Sequence, residues 1–372
     1  PLADAPPIRS RQSAISGLVR DKDLRDSLRS VLSEVRDIER LASRLPMGRI
    51  HGRDLRSLAR SLNAVPDLET TLKDLEPHRF VELVRDLDGN FARSVAQRIE
   101  DTVVEDPPMT LTEGGLIRDG YDPDLDELRA VSRDGVSWMA RFEAEESART
   151  GIPTLKVGYN RVFGYYIEVT HTHSSRIPET YIRKQTLKNA ERYITPELKE
   201  MEEKVLGSKE RADQLELEIF QQLREELLGH IRAFQTTSAV IAEVDVFQSL
   251  ARVAAEEEWC APEIVEEPIL KIEEGFHPVV GAGAARSEFT PNDVVSGEGP
   301  TLAVITGPNM AGKSTYIRQT ALISILGQMG SYVPATKAVL GLADRIFTRV
   351  GAADDLVHGQ STFMVEMVET AR

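Results

Sequence analysis

From Glu197 to Trp259 the chain has no proline, and Leu198, Met201, Val205, Ala212, Leu215, Ile219, Leu223, Leu227, Ile231 and Phe234 keep a helical spacing. A continuous helix of about 60 residues would measure about 90 Å. No compact domain is that wide, so such a rod has to join separated parts of a larger architecture. Gly207 and Gly229 are the places where it could bend, and two shorter helices packed as a hairpin are the alternative.

A length of 372 residues predicts two or three domains. Hydrophobic residues make up 41% and charged residues 28%, enough to bury a sizeable core in water. The single cysteine, Cys260, cannot form an internal disulfide and suits a reducing cytosol. The longest apolar run, around Ala321–Leu326, is interrupted by Ser324 and followed by Gly327, so no membrane span is expected. The opening P-L-A-D-A-P-P lacks the basic start and apolar middle of a leader, and without an initiator methionine the chain reads as a segment of a longer one. A net charge of −15 repels polyanions on average, so nucleic acid could be held only by local basic patches.

Residues 17–150 read as helices. Leu24, Leu28, Val31, Leu32, Val35, Ile38, Leu41 and Leu45 form one apolar stripe, expected on one helix. Shorter patterns follow at Leu55–Leu62, Phe80–Leu87 and Phe91–Val104, punctuated by Pro66, Pro77, Asp88-Gly89 and Pro107-Pro108, and a charged amphipathic helix over 124–149 ends near Gly151. The pattern changes at L-K-V-G-Y-N-R-V-F-G-Y-Y-I-E-V-T (155–170), where β-branched and aromatic residues predict two strands around a turn. After Pro262 and Pro268 the remainder looks α/β: T-L-A-V-I-T (301–306) reads as a buried strand and Tyr316–Met329 as an apolar helix.

Between those two elements lies G-P-N-M-A-G-K-S-T, Gly307 to Thr315, with the G-x-x-x-x-G-K-S spacing of a phosphate loop in the strand–loop–helix setting it requires. Gly307 and Gly312 let the backbone turn its N–H groups toward phosphate, and the helix N-terminus adds partial positive charge. Lys313 would meet the β- and γ-phosphates and the Ser314 hydroxyl would ligate Mg²⁺. Asn309 either responds to phosphate or is a turn residue.

The loop insert Pro308, Asn309, Met310, Ala311 and its continuation through Y-I-R-Q-T-A to G-S-Y-V-P-A (330–335) closely resemble the nucleotide loop of the MutS family of DNA mismatch-repair ATPases. F-H-P-V-V (276–280), F-T-P-N-D (289–293), D-R-I-F-T-R-V-G-A-A-D-D-L (344–356) and G-Q-S-T-F-M-V-E-M (359–367) resemble it as well. So do F-G-Y-Y-I-E-V-T (163–170) and Y-I-R-K-Q-T-L-K-N-A-E-R-Y-I-T-P-E-L-K-E (181–200), and the likeness runs nearly the whole length.

The resemblance implies a multidomain, mainly α fold: a helical core and lever over 1–150, a DNA clamp with a β hairpin over 151–204, a returning lever helix over 205–259, and a partial α/β P-loop ATPase domain of ABC type over 260–372. It implies ATP and Mg²⁺ at Gly307–Thr315, with Phe289 against adenine. Ser361 and Thr362 would act in trans from a second subunit, although either could be a plain N-cap. His277 is expected to be structural before Pro278, with contact to the nucleotide as the alternative. From Arg176 to Arg192 five basic residues face two acidic ones, Glu179 and Glu191. Arg183, Lys184, Lys188 and Arg192 are the expected contacts to duplex backbone, the last three four apart and so on one helical face; a merely solvated face is the alternative.

Further implied partners are a MutS-type subunit in a homodimer or heterodimer and a downstream MutL-type protein, in the cytoplasm or on a nucleoid, with no membrane. The chain ends 59 residues after Lys313 without the acidic pair that positions Mg²⁺ and water, and no Phe-x-Glu wedge precedes the helices. Negligible hydrolysis is therefore expected of this polypeptide, and mismatch-repair ATPase activity of its parent. A family member that reads junctions in recombination is the alternative; a P-loop kinase or transporter ATPase would leave the rod and the basic segment unexplained.

Overall fold

The computed structural model describes residues 2–73, 75–160, 164–281, 289–297, 302–308 and 311–347. The described chain is mainly helical and falls into two compact units drawn from interleaved segments. The first comprises Pro1–Ile38, Ser61–Arg93 and Ala233–Arg372, the second Glu39–Arg60 and Ser94–Arg232.

The opening prolines belong to a helix the sequence reading did not foresee, α1 (Ala5–Arg20). Proline is tolerated in a first turn, where N–H groups have no intrahelical partner. The Leu24–Leu45 stripe is split between two helices, α2 (Lys22–Ser33) and α3 (Ile38–Arg44). Glu34 closes α2 by donating its N–H to the Val31 and Leu32 carbonyls, and the Arg36 N–H goes to Ser61 Oγ at 2.8 Å. The stripe still points inward, with Leu28, Ile38, Leu41 and Leu45 buried. Next come α4 (Gly52–Asn63), α5 (Val65–Lys73), α6 (His78–Arg85) and α7 (Gly89–Thr102); Pro66 stands in the first turn of α5, just past the break from α4. Helix α8 (Pro123–Thr150) matches expectation, capped by Asp122, whose carboxylate accepts from the Leu125 N–H at 2.9 Å, and ended by Gly151 at φ +66°.

In the second unit, strands β1 (Lys156–Asn160), β2 (Gly164–Thr170), β3 (Ile182–Thr186) and β4 (Ala190–Ile194) form an antiparallel sheet of order β1-β2-β4-β3. The β1–β2 hairpin was expected; β3 and β4 replace the helical face assigned to Lys184, Lys188 and Arg192. One sheet face is buried, with Ile167, Val169 and Tyr193 packing on Tyr181, Phe142 of α8 and Leu198. Ile182, Thr186, Tyr193 and Ile194 are strand formers, and a turn at Leu187–Ala190 reverses the chain, the Leu187 N–H donating to the Ala190 carbonyl at 2.8 Å.

The proline-free stretch is not one unbroken helix. Thr195 caps α9 (Pro196–Leu228), accepting from the Leu198 N–H at 3.1 Å, and α10 (Ile231–Glu256) follows after Gly229 and His230. Gly229 keeps right-handed helical angles, so the interruption is local, and Gly207 sits inside α9 without a break. Within its unit α9 packs along α8.

In the first unit, Phe80 meets Phe247 of α10 edge-on at 6.1 Å, and the Arg79 guanidinium grips both Glu243 oxygens at 2.9 and 2.5 Å. Strands β5 (Glu263–Val265), β6 (Leu270–Gly275), β7 (Asn292–Ser296) and β8 (Lys337–Gly341) make a sheet of order β5-β8-β6-β7, parallel only between β5 and β8. Helix α11 (Lys313–Gln328) covers it through Ile323, and α1 joins the same core through Ile8, with Arg9 and Gln12 donating to the Ile264 and Pro262 carbonyls. The expected buried strand is absent: residues 302–307 carry no ladder, and Leu302 and Val304 are 79% and 82% exposed. A strand needs a neighbour for its backbone N–H and C=O groups, and none of the described residues pairs with this segment. No helix among the described residues is long and apolar enough to cross a membrane.

Candidate functional site

The glycine-rich loop enters α11 as its spacing requires. Gly312 has φ +89° and Gly307 φ +155°, angles that side-chain-bearing residues seldom adopt. Gly312 therefore delivers the chain into α11 with the first-turn N–H groups of the helix free of intrahelical acceptors. Lys313 Nζ donates back to the Gly307 carbonyl at 2.6 Å and the Pro308 carbonyl at 2.8 Å, which holds the ammonium across the loop.

A cavity of about 770 Å³ opens here, lined by Ala311, Gly312, Lys313, Thr315, Tyr316 and Phe289, among others. Phe289, 24 residues before the lysine, thus shares a pocket with the loop. Its volume suits a nucleotide-sized ligand. Its lining includes the Phe289 ring together with Lys313 and the first turn of α11. Ser314 is exposed on the first turn of α11 and is not among the lining residues. No cluster of three metal-ligating His, Cys, Asp or Glu side chains occurs among the described residues. His277 has a turn-forming role: its Nδ1 accepts from the Val279 and Val280 N–H groups at 3.2 and 3.3 Å. Burial, then the nearby Arg318 charge, holds its imidazole below the usual range, as an acceptor requires. Asn309, Met310, Ser361 and Thr362 lie outside the described residues.

The four basic candidates sit on the β3–β4 hairpin of the other unit, and the structure treats them differently. Arg192 is committed: it donates to Glu168 Oε2 at 2.9 Å and Gln185 Oε1 at 3.0 Å, and stacks over the Tyr166 ring at 4.2 Å. Arg183 reaches Glu191 at 3.2 Å but stays largely exposed, and an exposed pair of this kind is weak and exchangeable. Lys184, at an irregularity in the β3–β4 register, and Lys188, at the hairpin turn, are exposed and make no ion pair among the described residues.

The sequence reading missed the neighbour of that turn, a short helix over His171–Arg176. The His171 N–H donates to the Asn189 carbonyl at 3.2 Å and its ring Nε2 lies 3.1 Å from the Leu187 carbonyl, bringing H-T-H-S-S-R beside Lys188. Only the pairing of β2 with β4 creates this neighbourhood, so the one-dimensional pattern carried no sign of it.

Residues 120–211 match the family model described as MutS family domain IV, and residues 303–372 match MutS domain V. Over its whole length the chain is 48% identical to the DNA mismatch repair protein MutS of Rhodopirellula baltica and to that of Ruminiclostridium cellulolyticum. It is 47% identical to the protein of the same name from Symbiobacterium thermophilum. All of this chain is covered in each comparison, and 42% of each relative. The chain belongs to the MutS family, spanning about two-fifths of the length of the curated relatives it matches.

Proposed function

We propose that this chain is the DNA-clamping and nucleotide-sensing portion of a mismatch-repair protein. ATP with Mg²⁺ occupies the loop Gly307–Thr315, its phosphates on Lys313 and the α11 N-terminus, its base against Phe289, and Ser314 on the metal. The β3–β4 hairpin holds duplex backbone through Lys184 and Lys188, with Arg183 joining when it releases Glu191; Arg192 orders the sheet. Phosphate contacts of this kind bind without reading sequence.

In this reading 1–150 and 205–259 are core and lever, 151–204 the clamp, and 260–372 part of an ABC-type ATPase domain. Ser361 and Thr362 close on the nucleotide of a second MutS-type subunit, and a MutL-type partner takes the signal in the cytoplasm. Each passage of the chain between its two compact units falls inside a helix, in α3, α4, α7 and α10. Nucleotide state reaches the clamp to the extent that ATP binds one arrangement of the lever more tightly than another.

The observation that carries the nucleotide half is the convergence of Phe289, Gly312 and Lys313 on one cavity. Binding of a fluorescent ATP analogue tests it. Lys313→Ala removes charge-assisted hydrogen bonds worth about 1.5–3 kcal/mol, so affinity should fall about ten- to a hundredfold. No binding by the parent chain, or equal binding by both, would overturn the assignment.

A further inference from the structure

Glu202 lies on α9, a carboxylate with only 4% of the residue exposed. A charge is not buried without partners. Its partners are the Lys199 ammonium at 2.8 Å, one turn back on the helix, and the backbone N–H of Tyr165 at 2.7 Å, at the start of β2. The geometry explains why a side chain is needed there. Strand β4 pairs with β2 only between Ile167 and Thr170, because beyond Ile194 the chain turns at Thr195 into α9. The Tyr165 N–H is thus left where the ladder has run out, and Glu202 takes the place of the missing strand carbonyl.

The approach is close. Gly164 has φ +75°, and a methyl group added there would collide with the Glu202 carboxylate. The other strand of the hairpin is held the same way from the neighbouring helix: the Val157 N–H, on edge strand β1, donates to Glu143 Oε2 of α8 at 2.6 Å. Each long helix therefore fastens one strand of the β1–β2 hairpin through a single carboxylate.

We infer that Glu202 is a positioning residue for the clamp: by holding the Tyr165 N–H beside the closely packed Gly164, it fixes the sheet that presents Lys184 and Lys188 relative to the α8–α9 pair. This rests on the DNA-clamping reading and adds the joint through which helix motion reaches the sheet.

The test uses the whole chain and two readouts: amide exchange at Tyr165, which needs no DNA, and affinity for a duplex of fixed length. Glu202→Ala should speed Tyr165 exchange at least tenfold and weaken duplex binding about tenfold. Glu202→Gln keeps an acceptor oxygen for Tyr165 and should restore both to within about twofold. Glu210→Gln, an exposed carboxylate on α9 that contacts no strand of this sheet, should change neither. Should Glu202→Ala not fold, Glu202→Asp, which draws the carboxylate one methylene back from the Tyr165 N–H, should reproduce its two effects. Unaltered exchange, faster exchange with unaltered affinity, or an equal loss of affinity in Glu210→Gln would overturn the inference. A parent chain that binds no duplex would instead overturn the clamp reading itself, and the exchange data tell the two failures apart.

Discussion

Replacing Glu216 by alanine should unfold the second unit far more readily. Glu216 is 2% exposed and accepts from the N–H groups of Gly115 at 3.0 Å and Leu116 at 2.5 Å, with a longer contact of 3.4 Å from Ile117. Arg129 of α8 completes the set at 2.7 Å. Removing one member of a buried pair costs about 3–5 kcal/mol. Arg129 retains Asp119 at 2.7 Å and the Ile117 carbonyl at 2.8 Å, so its charge is not abandoned, which favours the lower end, about 3 kcal/mol.

The unit carries its own reporter, Trp138, stacked on Phe142 at 4.8 Å. In a Trp259→Phe background, urea unfolding followed at Trp138 should shift its midpoint down by about 1–2 M. Glu216→Gln, which keeps one acceptor, should lose about half as much. A shift below about 0.3 M for the alanine variant would refute the idea that this carboxylate anchors the 115–117 loop to α9.

Two predictions concern protonation. Burial first, and then the hydrogen bond to Glu191, push the Tyr193 hydroxyl up to about 12. The unfolded chain ionises near pH 10, so the stability gained from the neutral phenol is complete below that and is lost as pH rises from about 10 to 12. Unfolding midpoints measured at pH 9 and pH 11.5 should differ less in Tyr193→Phe than in the parent, the remainder coming from other buried groups such as Tyr181, whose hydroxyl is also pushed up. Burial also pushes the Cys260 thiol up to about 11, so at pH 8 it carries about a hundredfold less thiolate than an exposed cysteine. Alkylation with iodoacetamide should be correspondingly slow in the folded chain and fast in urea.

The sequence was most informative where a residue type has one conformational use. Gly151 ended α8, and the glycine–lysine spacing located the loop that opens α11, because backbone angles and helix termini leave few alternatives. Phe289 had no such signature: an aromatic ring is usually core, and only family resemblance tied it to the loop whose cavity it lines. The β3–β4 hairpin was misread because a spacing of four suits both a helix turn and two strand repeats, so Lys184, Lys188 and Arg192 could not decide between them. Turn chemistry at Lys188-Asn189 and the strand formers around it were the better signal. Residues 302–307 show the opposite limit: a strand pattern states a preference, and only a neighbour makes the strand.

Whether Lys184 and Lys188 hold duplex backbone is tested most directly by a salt titration of duplex binding. Each phosphate neutralised contributes about −0.9 to the slope of log affinity against log salt. The parent chain should show a steep linear fall, and Lys184→Glu with Lys188→Glu should flatten the slope by about 1.8, two contacts' worth. An identical slope in the double variant would contradict the clamp.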